Sequence, residues 1–123
     1  MKFLIVDDSK LSRTKLSQIL QDLGHTIIGE AQNGLEAIEK FSALAPDCIT
    51  MDLEMPLLSS IEAAEKIFKI NKNVVIVLVT SVMDKRDTLR ATQIGIQHIL
   101  HKPITIDALS STLHAIIKEE SFQ

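Results

Sequence analysis

The chain has 123 residues and a formal net charge of -3, with 46% hydrophobic and 24% charged residues. Its length and composition are those of one globular domain, so we expect a single domain over residues 1–123. The acidic balance argues against direct nucleic-acid binding. The longest apolar run, residues 74–79, is far shorter than the roughly 20 residues that cross a bilayer, which argues against membrane insertion. A lone cysteine, Cys48, forms neither a disulfide framework nor a zinc site, and this fits the cytoplasm.

Short apolar runs alternate with longer segments of helical period. A continuously apolar strand at residues 3–6 comes first, and Gly24 can end the helix that follows it. That helix has an apolar stripe of Leu16, Ile19, Leu20 and Leu23. Further strands are expected at 26–30 and 47–51. The spacing of Ser59 and Glu62 is that of a capping box, which predicts the start of the third helix.

The second half of the chain continues the alternation. A continuously apolar strand is expected at 74–79, and it should lie inside the sheet with the first strand. Asp84 and Asp87 would open a fourth helix that Gly95 ends, and its weak stripe around Leu89 predicts loose packing. A strand at 98–100 precedes the last helix, whose apolar stripe is Ile106, Leu109, Leu113, Ile116 and Ile117. This order predicts five βα units, hence a parallel sheet covered on both faces.

Polar residues follow four of these strands. Asp7 and Asp8 come after the first strand, Asp52 after the third, Thr80 after the fourth and Lys102 after the fifth. Taken alone, each of these residues has an ordinary explanation as a helix cap, a loop residue or an exposed residue at the end of an element. Parallel strands bring their carboxyl ends to one edge of a sheet, where ligands bind in folds of this type. The coincidence of four segments therefore predicts a site at this edge.

The charges of this group indicate a metal. Asp7, Asp8, Asp52 and Glu54 would place up to four negative charges near Lys102, which requires a divalent cation or raised pKa values. Oxygen ligands in a hydrated site suit Mg²⁺, with Mn²⁺ as a substitute. A carboxylate neutralised in this way can attack phosphorus and form an aspartyl phosphate. Lys102 and the Thr80 hydroxyl can then hold phosphoryl oxygens.

Four segments resemble two-component response-regulator receiver domains: LIVDDS at 4–9, MDLEMP at 51–56, VTS at 79–81 and HKP at 101–103. The resemblance runs over essentially the whole chain, and GEAQNGLEA at 29–37 supports it. It implies a flavodoxin-like α/β fold with five parallel strands in the order 2-1-3-4-5. It also implies that a sensor histidine kinase or a histidine phosphotransfer protein phosphorylates Asp52.

The resemblance assigns roles to the site residues. Asp8 and Asp52 would bind Mg²⁺ through their side chains, Asp7 through water, and Glu54 through its backbone carbonyl. Thr80 would move toward the phosphoryl group, and Lys102 would pair with it. The bond from Lys102 to the next proline would be cis. A downstream protein would bind the face made by the fourth helix, fifth strand and fifth helix.

The chain departs from the family's pattern in three respects. Ile99 stands where an aromatic residue usually reports phosphorylation, so coupling from Thr80 must use backbone or helix movement. His101 shares the strand face of Ile99 and is a candidate partner contact, although His98 and His101 can also be plain exposed edge residues. Ser59 and Ser60 replace the usual Asp-Gly, which predicts a slightly altered loop. Glu54 and Val82 occupy positions that flank the hydrolytic water in the family, so the phosphoryl lifetime should change.

Several functions fit the sequence. We favour a stand-alone, chemotaxis-type or other signalling switch over an enzyme, since no cap or substrate domain is evident. Haloacid-dehalogenase-type phosphatases place Asp-x-Asp after the first strand, whereas this chain has adjacent Asp7 and Asp8 there. The alternatives are a receiver cut from a larger transcriptional regulator and a pseudo-receiver that binds partners without phosphorylation.

Overall fold

A computed structural model describes residues 1–81 and 85–120 of the chain. The elements alternate without exception: β1 Lys2–Val6, α1 Lys10–Asp22, β2 Thr26–Ala31, α2 Gly34–Leu44, β3 Cys48–Asp52, α3 Ser60–Ile70, β4 Val75–Thr80, α4 Lys85–Ile94, β5 His98–His101 and α5 Ile106–Glu120. The five strands are parallel and lie in the order β2-β1-β3-β4-β5. The predicted flavodoxin-like fold and its strand order are confirmed.

Two apolar cores cover the two faces of the sheet. One core packs Ile49, Met51 and Leu78 against the inner sides of α2, α3 and α4. The other packs Phe3, Ile5 and Val77 against α1 and α5, and it includes Cys48, which is buried as expected. β1 and β4 are interior strands, as their continuous apolar character predicts, because both of their faces are covered by helices.

The strands extend one residue further toward the site than the sequence indicates. Asp52 is the last residue of β3 and lies opposite Val79, while Thr80 ends β4 opposite His101. Asp52 and Thr80 are thus the last residues of their strands and do not follow them, so the predicted ends of these strands are wrong by one residue. The ladder continues because the polar side chains at its end do not interrupt the backbone pairing.

The ends of most helices follow the predicted capping residues. Ser59 accepts a hydrogen bond from the Glu62 N–H at 3.2 Å, which is the N-terminal half of the capping box. Gly24 and Gly95 both have positive φ and end α1 and α4. Asp84 and Val82 lie outside the residues that the structure describes.

Helix α4 buries as little as its weak stripe predicts, whereas α5 buries less than its stripe predicts. Ala91 is the one buried residue of α4, and Leu89 is exposed, in line with the loose packing expected there. In α5, the predicted stripe is correct for Leu109, Leu113 and Ile116, which are buried. It is wrong for Ile106 and Ile117, which lie at the margin of the stripe and are 59% and 45% exposed.

Candidate functional site

The carboxyl ends of four strands bring the predicted residues to one edge of the sheet. Asp7 follows β1 directly, and its N–H donates to the carbonyl of Ala31 in β2 at 3.0 Å. Asp52 ends β3 and Thr80 ends β4. Lys102 follows β5, and its N–H donates to the Thr80 carbonyl at 2.8 Å. Backbone bonds of the sheet therefore fix where these side chains begin.

Three carboxylates gather at this edge. One oxygen from each of Asp7, Asp8 and Asp52 lies within 4.8 Å of the other two. Asp7 and Asp52 are each 6% exposed, whereas Asp8 is exposed to solvent. Asp7 Oδ1 accepts a hydrogen bond from the Ser9 N–H at 2.8 Å, and Asp52 Oδ1 accepts one from the Glu54 N–H at 3.3 Å. Each buried carboxylate still has an oxygen directed at Lys102.

Lys102 is the cation of this group. Its Nζ lies 3.1 Å from Asp52 Oδ2 and 3.6 Å from Asp7 Oδ2. The peptide bond between Lys102 and Pro103 is cis, as the family resemblance implies. One ammonium group thus bridges the two buried carboxylates and leaves the site with an excess of negative charge.

This excess is visible in the pKa values. Burial raises the pKa of Asp7, and the nearby charges of Asp52 and Asp8 raise it further, although the Ser9 hydrogen bond and Lys102 oppose the shift. Burial alone would lower the pKa of Lys102, but the hydrogen bond and the charge of Asp52, together with Asp7, outweigh it and raise that pKa. Lys102 therefore stays protonated, whereas Asp7 is harder to ionise than a solvent-exposed aspartate, chiefly because it is buried and also because Asp52 and Asp8 lie nearby.

The donor set fits a divalent cation. The three carboxylates are hard oxygen ligands close enough to share one ion, and a +2 charge would offset their mutual repulsion, which adds to the effect of burial on the Asp7 pKa. Two of the ligands are buried and the third is open to solvent, so an ion here would keep part of its water shell.

The side chain of Glu54 does not contact Lys102. It accepts a hydrogen bond from the Ser81 hydroxyl at 3.3 Å, and this contact joins the β3–α3 loop to the end of β4. Lys102 is instead held between Asp7 and Asp52. The role of the Glu54 backbone carbonyl stays a prediction.

The predicted output residues lie beside the site on β5. Ile99 is half-buried and packs on the core formed with α3 and α4. His101 is exposed on the same strand face. His98 is not an exposed edge residue, because its Nε2 lies 3.4 Å from Glu119 Oε2 of α5 and its side chain is only 14% exposed.

Two residues that the sequence analysis did not assign to the site contact it. Arg13 is buried in α1, donates from Nη1 to the Asp7 carbonyl at 2.7 Å and forms an ion pair with Glu30 at 3.0 Å. Its position three residues before Leu16, on the apolar stripe of α1, was the signal that could have revealed it. Ser60 stands where the resemblance implies glycine, and its buried hydroxyl donates to the Asp52 carbonyl.

Comparison with known proteins identifies the family. Residues 3–114 match the response regulator receiver domain. Chemotaxis protein CheY of Thermotoga maritima is 33% identical over 117 residues, which cover 95% of this chain and 98% of that protein.

Solved structures agree with this match. The response regulator domain of Thermotoga maritima CheB is 33% identical, with a TM-score of 0.83 over 97% of this chain and 94% of that one. A chain of the CheX-CheY-BeF3-Mg+2 complex from Borrelia burgdorferi has the same fold, with a TM-score of 0.90 at 24% identity over 95% of this chain and 89% of that one. The chain belongs to the response regulator receiver domain family.

Proposed function

We propose that this receiver is a phospho-acceptor switch in which Asp52 takes a phosphoryl group from a phosphohistidine of a sensor histidine kinase or a histidine phosphotransfer protein. The observation that carries the proposal is the grouping of Asp7, Asp8 and Asp52 within 4.8 Å, with Lys102 Nζ 3.1 Å from Asp52. An acceptor carboxylate, acidic ligands and a fixed cation are the parts that phosphoryl transfer to aspartate needs.

The reaction is a displacement at phosphorus. A carboxylate oxygen of Asp52 forms a new O–P bond while the P–N bond of the phosphohistidine breaks, and the imidazole leaves with the electron pair. Lys102 Nζ needs little movement to bind a phosphoryl oxygen, because it already contacts Asp52. The Thr80 hydroxyl, at the end of the adjacent strand, is the second proposed ligand of the phosphoryl oxygens.

Mg²⁺ is the proposed metal, with Mn²⁺ as a substitute. Asp8 and Asp52 would bind it through carboxylates, Asp7 through water and Glu54 through its backbone carbonyl. The ion would neutralise the acidic group so that an anionic phosphodonor can approach. The oxygen-only donor set and the water-accessible Asp8 support this choice.

The output is a protein-binding face. Phosphorylation replaces the single negative charge of the Asp52 carboxylate with a bulkier phosphoryl group of about -1.5 to -2 charge and strong acceptor oxygens, which can bias a loop and helix between two arrangements. We place the downstream partner on α4, β5 and α5, where His101 is exposed and α4 buries only Ala91. Ile99 lacks a ring and hydroxyl that could change environment, so movement of α4 and the end of β4 would carry the signal.

The proposal treats residues 1–123 as one receiver domain that acts in the cytoplasm. None of the described helices is long and apolar enough to cross a membrane. The similarity to chemotaxis protein CheY over nearly its whole length favours a chemotaxis-type role over an enzymatic one.

Acetyl phosphate tests the acceptor chemistry without a kinase. In the presence of Mg²⁺, we expect the intact mass to rise by one phosphoryl group in the wild type and in Asp47→Asn, which changes an exposed aspartate at the opposite end of β3. We expect no rise in Asp52→Asn or after removal of Mg²⁺ by a chelator. An unmodified wild type, together with partner binding that ignores phosphodonor and Mg²⁺, would contradict the proposal and favour a pseudo-receiver.

A further inference from the structure

The hydroxyl of Ser60 joins the first residue of α3 to the end of β3. Ser60 is fully buried, with 0% of its surface exposed. Its hydroxyl donates to the Leu53 carbonyl at 3.0 Å and also lies within hydrogen-bond distance of the Asp52 carbonyl. One proton is thus shared between two consecutive carbonyl groups, those of Asp52 and of the residue after it.

These two carbonyls begin the segment that surrounds the site. The Leu53 N–H donates to the Val79 carbonyl at 2.8 Å, and the Glu54 N–H donates to the Asp52 carboxylate at 3.3 Å. Residues 53–59 then form a loop in which Leu57 adopts a left-handed conformation, with φ of 71°. Ser60 closes this loop from the other side, so the peptide planes after Asp52 are fixed at both ends.

The preceding residue, Ser59, has a different role. The Ser59 hydroxyl accepts the Glu62 N–H and caps α3, whereas the Asp52 and Leu53 carbonyls accept from the Ser60 hydroxyl. Two adjacent hydroxyls therefore act in opposite directions, one on the helix and one on the acceptor strand. This separation lets the stability of α3 be distinguished from the position of Asp52.

We propose that Ser60 is a positioning residue that fixes the backbone of residues 52–54 so that the Asp52 carboxylate and the Glu54 carbonyl face the metal. The inference rests on the proposed function. Groups that orient metal ligands typically change metal affinity by roughly 10-fold to 100-fold when removed, and we expect the lower end for a backbone contact.

The test compares Ser60→Ala and Ser60→Gly with the matched control Ser59→Ala. The chain has no Trp or Tyr, so Mg²⁺ affinity is measured by NMR titration of backbone amides, and phosphorylation by its rate with acetyl phosphate. We expect both Ser60 variants to bind Mg²⁺ about 10-fold more weakly and to be phosphorylated more slowly. Ser59→Ala should lower the urea midpoint of unfolding while leaving Mg²⁺ affinity and rate as in the wild type.

Ser60 variants that match the wild type in affinity and rate, or that change no more than Ser59→Ala, would overturn the inference while leaving the proposed function intact. If the wild type itself is not phosphorylated, the positioning role of Ser60 is tested by amide hydrogen exchange of Leu53 and Glu54 in the metal-free protein. Faster exchange at these two amides in Ser60→Ala, but not in Ser59→Ala, supports the positioning role. Equal exchange in both variants rejects it.

Discussion

Asp7 is the residue that best illustrates the repulsion between the carboxylates of the site. It is buried beside the carboxylates of Asp52 and Asp8, and burial together with these charges raises its pKa. A carboxyl group with a raised pKa binds its proton more tightly in the folded chain than in the unfolded one. Its ionisation therefore costs stability, and this cost grows as the pH rises from 3.8, the ordinary value, through the raised pKa.

Asp7→Asn should consequently be more stable than the wild type at pH 7 without metal. The amide removes the charge and retains an oxygen that can accept the Ser9 N–H. Urea unfolding as a function of pH measures the effect, and the difference between the two proteins should shrink as the pH falls toward about 4. Mg²⁺ should stabilise the wild type more than the variant, and a variant less stable than the wild type at pH 7 would contradict the electrostatic account.

The positions of single residues are predictable from the sequence at the strand ends, whereas the contacts that support them are not. Asp7, Asp8, Asp52 and Lys102 stand at strand ends, where sequence alone gives their position. The contacts of Arg13 and Ser60 are made to backbone carbonyls, and carbonyls carry no sequence information. Such contacts emerge only when the helix and the strand are packed together.

Among the secondary-structure elements, strand β3 begins in the apolar core and ends in polar residues at the site. On the face toward α1 and α5, Cys48 is followed by Thr50 and then by Asp52. Thr50 lies between Ile5 of β1 and Val77 of β4, and is 1% exposed. Within residues 1–81 and 85–120, its Oγ1 is the one buried side-chain oxygen or nitrogen without a hydrogen-bond partner.

Thr50→Val should raise the free energy of unfolding by about 1 kcal/mol, because an unsatisfied buried hydroxyl is replaced by a methyl group of similar size. Thr26→Val in the edge strand β2 is the matched control, since that residue is exposed and the same change there should stay within about 0.5 kcal/mol. Urea unfolding of both variants provides the comparison. Destabilisation by Thr50→Val would mean that the hydroxyl has a partner after all.

Sequence periodicity predicts the buried face correctly for some helices and only in part for others. The buried residues of α1 follow its stripe, because the sheet covers that side of the helix. The apolar stripe predicted for α5 is wider than its buried face, because Ile106 and Ile117 at the margin of the stripe are exposed. Periodicity cannot show how far the sheet extends. In α4 the near absence of a stripe correctly indicated shallow packing.

At the scale of the whole molecule, the alternation of strands and helices was sufficient for the fold class. Continuous apolar runs identify β1 and β4 as interior strands, and the crossover helices require parallel pairing. The strand order came from the resemblance to receivers, because nothing in the apolar pattern places β1 between β2 and β3. The one-residue extension of β3 and β4 depends on backbone pairing, which side-chain patterns do not report.

The topology also explains why the site is shared among distant segments. Four strands deliver one or two polar residues each to a single edge, so the site exists only in the folded chain. A divalent cation should therefore stabilise the fold as it binds.

The most direct test of the account locates the phosphoryl group. After reaction with acetyl phosphate and Mg²⁺, borohydride reduction converts an aspartyl phosphate into homoserine, which peptide mass spectrometry can place in the sequence. We predict homoserine at position 52 alone, and none when Mg²⁺ is withheld. Homoserine at position 7 or 8, or none at any position in the presence of Mg²⁺, would contradict the assignment of Asp52 as the acceptor.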